Sequence, residues 1–138
     1  TNVSLEVISG RMNLFVDGLE TSAFVVSTVE AALSYSNVLP QTGLSLASAA
    51  ISYNLAALLS TSNADKGFYY AYAGYYFREA TNYENGEVER DNMNSGNENY
   101  YRAYQSYTKA AKTEPDGSPN KTIYMNEANK NFNLFSWE

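Results

Sequence analysis

Phe68-Tyr69-Tyr70-Ala71-Tyr72-Ala73-Gly74-Tyr75-Tyr76-Phe77 is the stretch that decides the fold, read together with Ala103, Tyr107, Ala110 and Pro115 downstream. Aromatic and small residues recur at i, i+3, i+4 and i+7 in Tyr70, Ala73, Gly74 and Phe77, the spacing of one helix face. Ala103, Tyr107 and Ala110 repeat that spacing. Small residues let two helices approach closely, and the aromatics fill the gap between them. Pro115 stops the second helix, because proline has no N–H to continue the ladder. The two stretches are therefore expected to be antiparallel neighbours, over residues 68–80 and 98–113, with Ala73, Gly74, Ala103 and Ala110 at their contact.

Working outward, Ala49, Tyr53 and Ala56 echo the same spacing inside the apolar run from Leu44 to Ser60, which reads as a helix. Pro40-Gln41-Thr42-Gly43 is a break before it. Asn63 or Asp65 is placed to cap the helix that follows. Residues 20–37 carry Phe24, Val25, Val29, Ala32 and Leu33 on one helical face, with strand as the alternative for so Val-rich a stretch. Residues 3–19 mix helix and strand periods. Leu5, Ile8, Met12, Phe15 and Leu19 favour a helix, while Gly10 and Gly18 weaken it.

Between the two defining stretches, residues 82–97 are polar, acidic and Asn-rich, with Gly86 and Gly96, and read as an inserted irregular loop. Asn97 or Asn99 then caps the helix of 98–113. Residues 120–133 make a last helix with Ile123, Tyr124, Ala128 and Phe132 facing inward. Leu134, Phe135 and Trp137 make an apolar tail that is expected to be ordered, on the domain or against a neighbouring subunit. The expectation is an all-α fold of five or six helices in one domain spanning 1–138, with no sheet beyond a hairpin in the insertion.

The pattern resembles the tetratricopeptide repeat, whose first helix reads W-x2-L-G-x2-Y and whose second reads A-x3-F before a proline. Tyr70 stands where the family has Trp, and Ala73 where it has Leu. The resemblance covers roughly residues 44–115, with the repeat proper at 68–115 and loop 82–97 inserted between its helices. Residues 119–133 would be the polar-faced helix that caps such a stack. The resemblance implies a helical binding scaffold and no catalysis.

Composition narrows function independently. The chain has 138 residues, enough for one domain with a real core, and a net charge of −6. An acidic chain lacks the basic patches that nucleic acid requires, and it is ill suited to anionic lipid. It has no Cys, hence no disulfide framework, thiolate nucleophile or Cys-based zinc site. It also has no His, which removes the commonest general base and transition-metal ligand. No phosphate loop or dinucleotide fingerprint occurs, and no run is apolar enough to span a membrane. The acidic residues of 79–98 are the densest carboxylates, but they fall in or beside the expected loop. Asp91-Asn92-Met93-Asn94-Ser95-Gly96 fails as a calcium loop, because Met93 stands where the second oxygen ligand belongs. No enzyme, cofactor or metal site is read.

The 13 tyrosines remain. Tyrosine has an apolar body and a polar tip, which suits wet grooves and interfaces. The expected binding residues are Tyr69, Tyr72, Tyr76, Tyr100, Tyr101 and Tyr104, which flank the motif positions. Arg78 and Arg102 are suited to meet a carboxylate or stack on a ring. The leading expectation is a scaffold for a protein, peptide or small ligand. The other is a self-assembling filament or coat subunit that buries Phe135 and Trp137 against its neighbour. Low charge with much Asn, Ser, Thr and Tyr leans towards an extracytoplasmic or particle-surface setting.

Overall fold

The computed structural model describes residues 3–8, 11–16, 33 and 42–136. From Gly43 onward the described chain is all helical: α1 (Gly43–Leu59), α2 (Asn63–Ala80), a short 3-10 turn (Thr81–Tyr83), α3 (Gly86–Lys112) and α4 (Pro119–Ser136). Four α-helices are thus delimited among the described residues, against the five or six expected. The helix expected over 20–37 lies outside them, except that Leu33 is helical.

The helix expected over 3–19 is not there. Strands β1 (Val3–Ile8) and β2 (Arg11–Val16) pair antiparallel instead, in the register Val3 to Val16, Leu5 to Leu14 and Ile8 to Arg11. The sequence carries the reason. Val3-Ser4-Leu5-Glu6-Val7 alternates apolar and polar with period two, and Ser9-Gly10, a turn dipeptide, falls between the strands. The helical stripe and the alternation share several residues, and the β-branched ones favour the strand.

Each helix packs on the next: α1 on α2, α2 on α3, α3 on α4. The contacts make neighbours antiparallel. Gly67 near the start of α2 lies under the Tyr107 ring late in α3, whereas Arg78 near the end of α2 meets Asn97 early in α3. The α2–α3 seam is closed by small residues, as the sequence implies. Ala73 and Ala103 are fully buried and Ala110 nearly so. A Cβ on Gly74 would stand 3.0 Å from the Tyr100 ring and 3.1 Å from the Gly96 carbonyl. Gly96 faces it across the seam, where its own Cβ would stand 3.2 Å from the Gly74 carbonyl.

The expected loop 82–97 is mostly helix. Helix α3 runs for 27 residues and absorbs the polar stretch as its N-terminal part. Its N-cap is Asn85 rather than Asn97 or Asn99, and Glu87 and Glu89 in the first turn suit the positive end of the helix dipole. The inward stripe of this stretch is Asn92, Met93, Gly96 and Asn99, continuing into Tyr100 and Ala103. It has helical period, but Met93 is its one large apolar residue before Tyr100, so a search for apolar periodicity passes over it. Asn99 is buried and satisfied: it accepts from Asn54 Nδ2 on α1 at 2.5 Å, and its own Nδ2 donates to the Ser95 carbonyl at 2.8 Å.

Helix ends follow local rules. Thr42 and Ser45 form a reciprocal capping box on α1, with Ser45 N–H donating to Thr42 Oγ1 at 3.1 Å and Thr42 N–H to Ser45 Oγ at 3.0 Å. The cap of α2 is Ser62, not Asn63 or Asp65; its hydroxyl accepts from Asp65 N–H. Lysines reach back across the turns to the ends of the preceding helices. Lys66 Nζ donates to the carbonyls of Ala57 (3.0 Å) and Leu58 (3.2 Å), and Lys121 Nζ to those of Ala111 and Glu114 (both 3.3 Å). A cation there answers the negative end of the dipole. Gly117, at φ +85°, takes the left-handed conformation in the turn between α3 and α4.

Helix α4 corrects one further expectation. Ala128 is buried and Tyr124 half-buried, but Ile123 and Phe132 are more than 40% exposed. The fully buried position on this face is Asn131. The tail is helical to Ser136, and the Phe135 ring packs on Tyr101 at 4.9 Å and on Phe132 at 6.1 Å. Trp137 lies outside the described residues.

Candidate functional site

Helices α2 and α4 stand on either side of α3 and enclose an open groove of about 820 Å³. One wall is α2, with Phe68, Tyr69, Tyr72 and Tyr75. The other is α4, with Ile123, Tyr124, Glu127, Lys130 and Leu134. Tyr100 and Tyr107 from α3, with Asn131, form the floor, and Asp65 stands at the start of α2.

The α2 wall is ordered by a run of ring contacts. Phe68 meets Tyr72 edge-on at 4.8 Å, and Tyr72 stacks on Tyr53 of α1 at 5.1 Å. Tyr53 stacks in turn on Tyr76 at 5.7 Å, and Tyr76 meets Tyr75 edge-on at 5.1 Å. Such contacts add to the area the rings bury and hold each ring plane. Burial, then the neighbouring Tyr76, Tyr72 and Tyr69, pushes the Tyr53 phenol up to about 12. On the floor, burial pushes Tyr107 up to about 12, helped by Glu127, Tyr124, Asp65 and Tyr72. Tyr69 is raised by burial and then by Asp65. These hydroxyls therefore keep their protons, and remain hydrogen-bond donors, well above neutral pH.

Of the eight residues expected to bind, Tyr69, Tyr72 and Tyr100 line the groove. The others lie elsewhere and are engaged by the fold. Tyr76 packs on Tyr53 at the α1–α2 contact. Tyr101 and Tyr104 pack on Phe135 and Phe132 of α4, at 4.9 and 5.0 Å. Arg102 pairs with Glu98 one turn back at 2.7 Å. Arg78 ties three helices together: its guanidinium covers the Tyr100 ring at 4.6 Å, donates to Asn97 Oδ1 on α3 and donates to the Leu134 carbonyl near the end of α4.

The α4 wall was missed, although its signal was present. Ile123, Glu127, Lys130, Asn131 and Leu134 recur at helical spacing. The inward face was assigned to Ile123, Tyr124, Ala128 and Phe132 instead, and the polar members Glu127, Lys130 and Asn131 carry no apolar signal.

The groove is polar at chosen points. The carboxylates of Asp65 and Glu127 have no ion pair with a described cation. Asn131 donates from Nδ2 to the Glu127 carbonyl at 2.8 Å, which sets the orientation of its amide, and its buried Oδ1 has no donor among the described residues. Among the described residues no group of three or more His, Cys, Asp or Glu is placed to hold a metal, and no helix is long and apolar enough to cross a membrane. The arrangement offers ring faces, phenol donors and carboxylate acceptors to a ligand laid between two helices. No family model, no curated protein and no solved structure matches this chain.

Proposed function

We propose that the chain is a non-catalytic helical scaffold of tetratricopeptide type, which binds a peptide, a protein segment or a small ligand in the groove between α2 and α4, in an extracytoplasmic or surface setting. The observation that carries this reading is the groove itself, walled by exposed rings of α2 and floored by Tyr100 and Tyr107. Consecutive packing of antiparallel helices supports it, since stacked helix pairs leave such a surface between alternate helices. The buried set Ala49, Tyr53, Ala56 and Ala57 of α1 matches Ala103, Tyr107, Ala110 and Ala111 of α3, and a lysine clamp follows each. The absence of His and Cys from the sequence underlies the non-catalytic part.

The test is a nuclear magnetic resonance screen with a library of short peptides and ring-bearing fragments. Hits should shift the ring signals of Tyr69, Tyr72, Tyr107 and Tyr124. Hits that map instead to Tyr76, Tyr101 and Tyr104 overturn the reading.

One observation favours the second reading, a self-assembling subunit. Leu44, Ile51 and Leu58 repeat every seven residues along α1 and are 77%, 56% and 54% exposed. An apolar stripe of this kind suits contact with a second copy. Light scattering on the wild type and on Ile51→Glu tests it: assembly predicts a larger mass that the substitution lowers, and a monomer in both removes the reading.

A further inference from the structure

The groove carries its own indication of ligand chemistry. Three acceptors line it with no ion pair or donor among the described residues, the Asp65 and Glu127 carboxylates and the Asn131 Oδ1, and Lys130 is the one described cation on its walls. Glu127 and Asn131 are one turn apart, hence on one face of α4. A buried acceptor without a donor costs stability, so a ligand that brings N–H groups is favoured there. The rings around these acceptors, Tyr69, Tyr72, Tyr107 and Tyr124, present electron-rich faces that attract cations.

The protein also shows which cation such a set accommodates. Arg78 lays its guanidinium on the Tyr100 ring at 4.6 Å while donating to Asn97 Oδ1. The groove holds the same kinds of group, tyrosine rings and an asparagine amide, and adds two carboxylates. A guanidinium is flat, stacks on rings and presents a fork of donors, whereas an ammonium is a compact, strongly hydrated point charge.

We propose that the groove binds the guanidinium of an arginine side chain carried on a short peptide. The inference rests on reading the groove as the binding site. Asp65, Glu127 and Asn131 receive the guanidinium N–H groups, and tyrosine rings cover its plane. The groove continues past this end to Tyr75 and Leu134, leaving ring surface for flanking residues. Lys130 on the exposed α4 wall suits a peptide carbonyl and disfavours a second positive side chain at that end.

The probes are acetyl-Gly-Arg-Gly-amide, its citrulline and lysine counterparts, and butylguanidine, titrated against the full chain by nuclear magnetic resonance. The arginine peptide should shift the Tyr69, Tyr72, Tyr107 and Tyr124 signals. The neutral citrulline peptide should bind at least about tenfold more weakly, with the lysine peptide between them. The paired substitutions Asp65→Asn and Glu127→Gln should weaken the arginine peptide about tenfold and leave the melting temperature in place. Equal binding of arginine and citrulline peptides overturns the proposal, as does indifference to the carboxylate substitutions. Butylguanidine binding as tightly as the peptide overturns the peptide component. If library ligands occupy the groove and the arginine peptide does not, the groove stands as a binding site and the guanidinium assignment falls.

Discussion

The hairpin α1–α2 and the hairpin α3–α4 are built alike and finished differently. In each, a helix with a deeply buried tyrosine among buried alanines, Tyr53 or Tyr107, precedes a serine and a lysine that close the turn into the next helix. In each, burial holds that tyrosine's phenol near pKa 12. The second members diverge. Helix α2 covers Tyr53 with Tyr69, Tyr72 and Tyr76, whereas α4 brings only Tyr124 to Tyr107, at 6.3 Å. Helix α3 is also longer than α1, 27 residues against 17. The common parts hold each pair of helices together. The differing parts make the α2 wall aromatic and leave acceptors on α4, so the groove owes its two unlike sides to divergence between similar hairpins.

The comparison breaks first at the joint between the hairpins. Gly74 and Gly96 bring the backbones of α2 and α3 together there, and neither hairpin uses such a pair internally among the described residues. Gly74→Leu gains helix propensity of about 1 kcal/mol, but its side chain must enter the Tyr100 ring and the Gly96 carbonyl. The expected outcome is a net loss of about 3 kcal/mol, read by thermal melting. A variant that melts with the wild type removes the tight joint.

A smaller effect is expected at Asn99, whose amide links the hairpins through Asn54. Asn99→Ala leaves the Asn54 amide short of a partner in a half-buried place and should cost about 1–2 kcal/mol in urea unfolding. No loss would mean that the polar contact is incidental and that the small-residue seam alone joins the hairpins.

The smallest effect sharpens the comparison. Lys66→Met and Lys121→Met each remove a cation from the end of a preceding helix, worth about 0.3–1 kcal/mol. Lys66 makes the closer contacts, at 3.0 and 3.2 Å against 3.3 Å for both of Lys121. Lys66→Met should therefore lower the urea midpoint more. The opposite order would assign the greater strength to the α3–α4 turn and make the likeness of the two clamps superficial.

Much of the helical core was legible before any coordinates. Ala73, Gly74, Ala103 and Ala110 sit at the α2–α3 contact because small residues at helical spacing can do little else in a packed pair. The start of α3 was not legible, since half-buried Asn92 and buried Gly96 and Asn99 on its inward stripe carry no apolar signal. The strands at Val3–Ile8 and Arg11–Val16 were misread because alternation and helical spacing overlap in so short a run. Among the candidate site residues, Tyr69, Tyr72 and Tyr100 fell in the groove, while Arg78, Tyr101 and Arg102 fell to the framework. Their residue types are equal to either task, and only the neighbours they meet decide between them.

Local sequence sets α1, α2, α4 and the C-terminal half of α3, and the absence of any histidine or cysteine chemistry. These follow from local spacing, capping groups and side-chain type. Tertiary structure alone decided that α4 comes to stand opposite α2, that Asn131 is buried with a free acceptor, and that Asp65 and Glu127 face the same space. Asp65 on α2 lies more than sixty positions from Glu127 and Asn131 on α4, and no local rule carries information over that distance. Only the packing of each helix on the next brings them together.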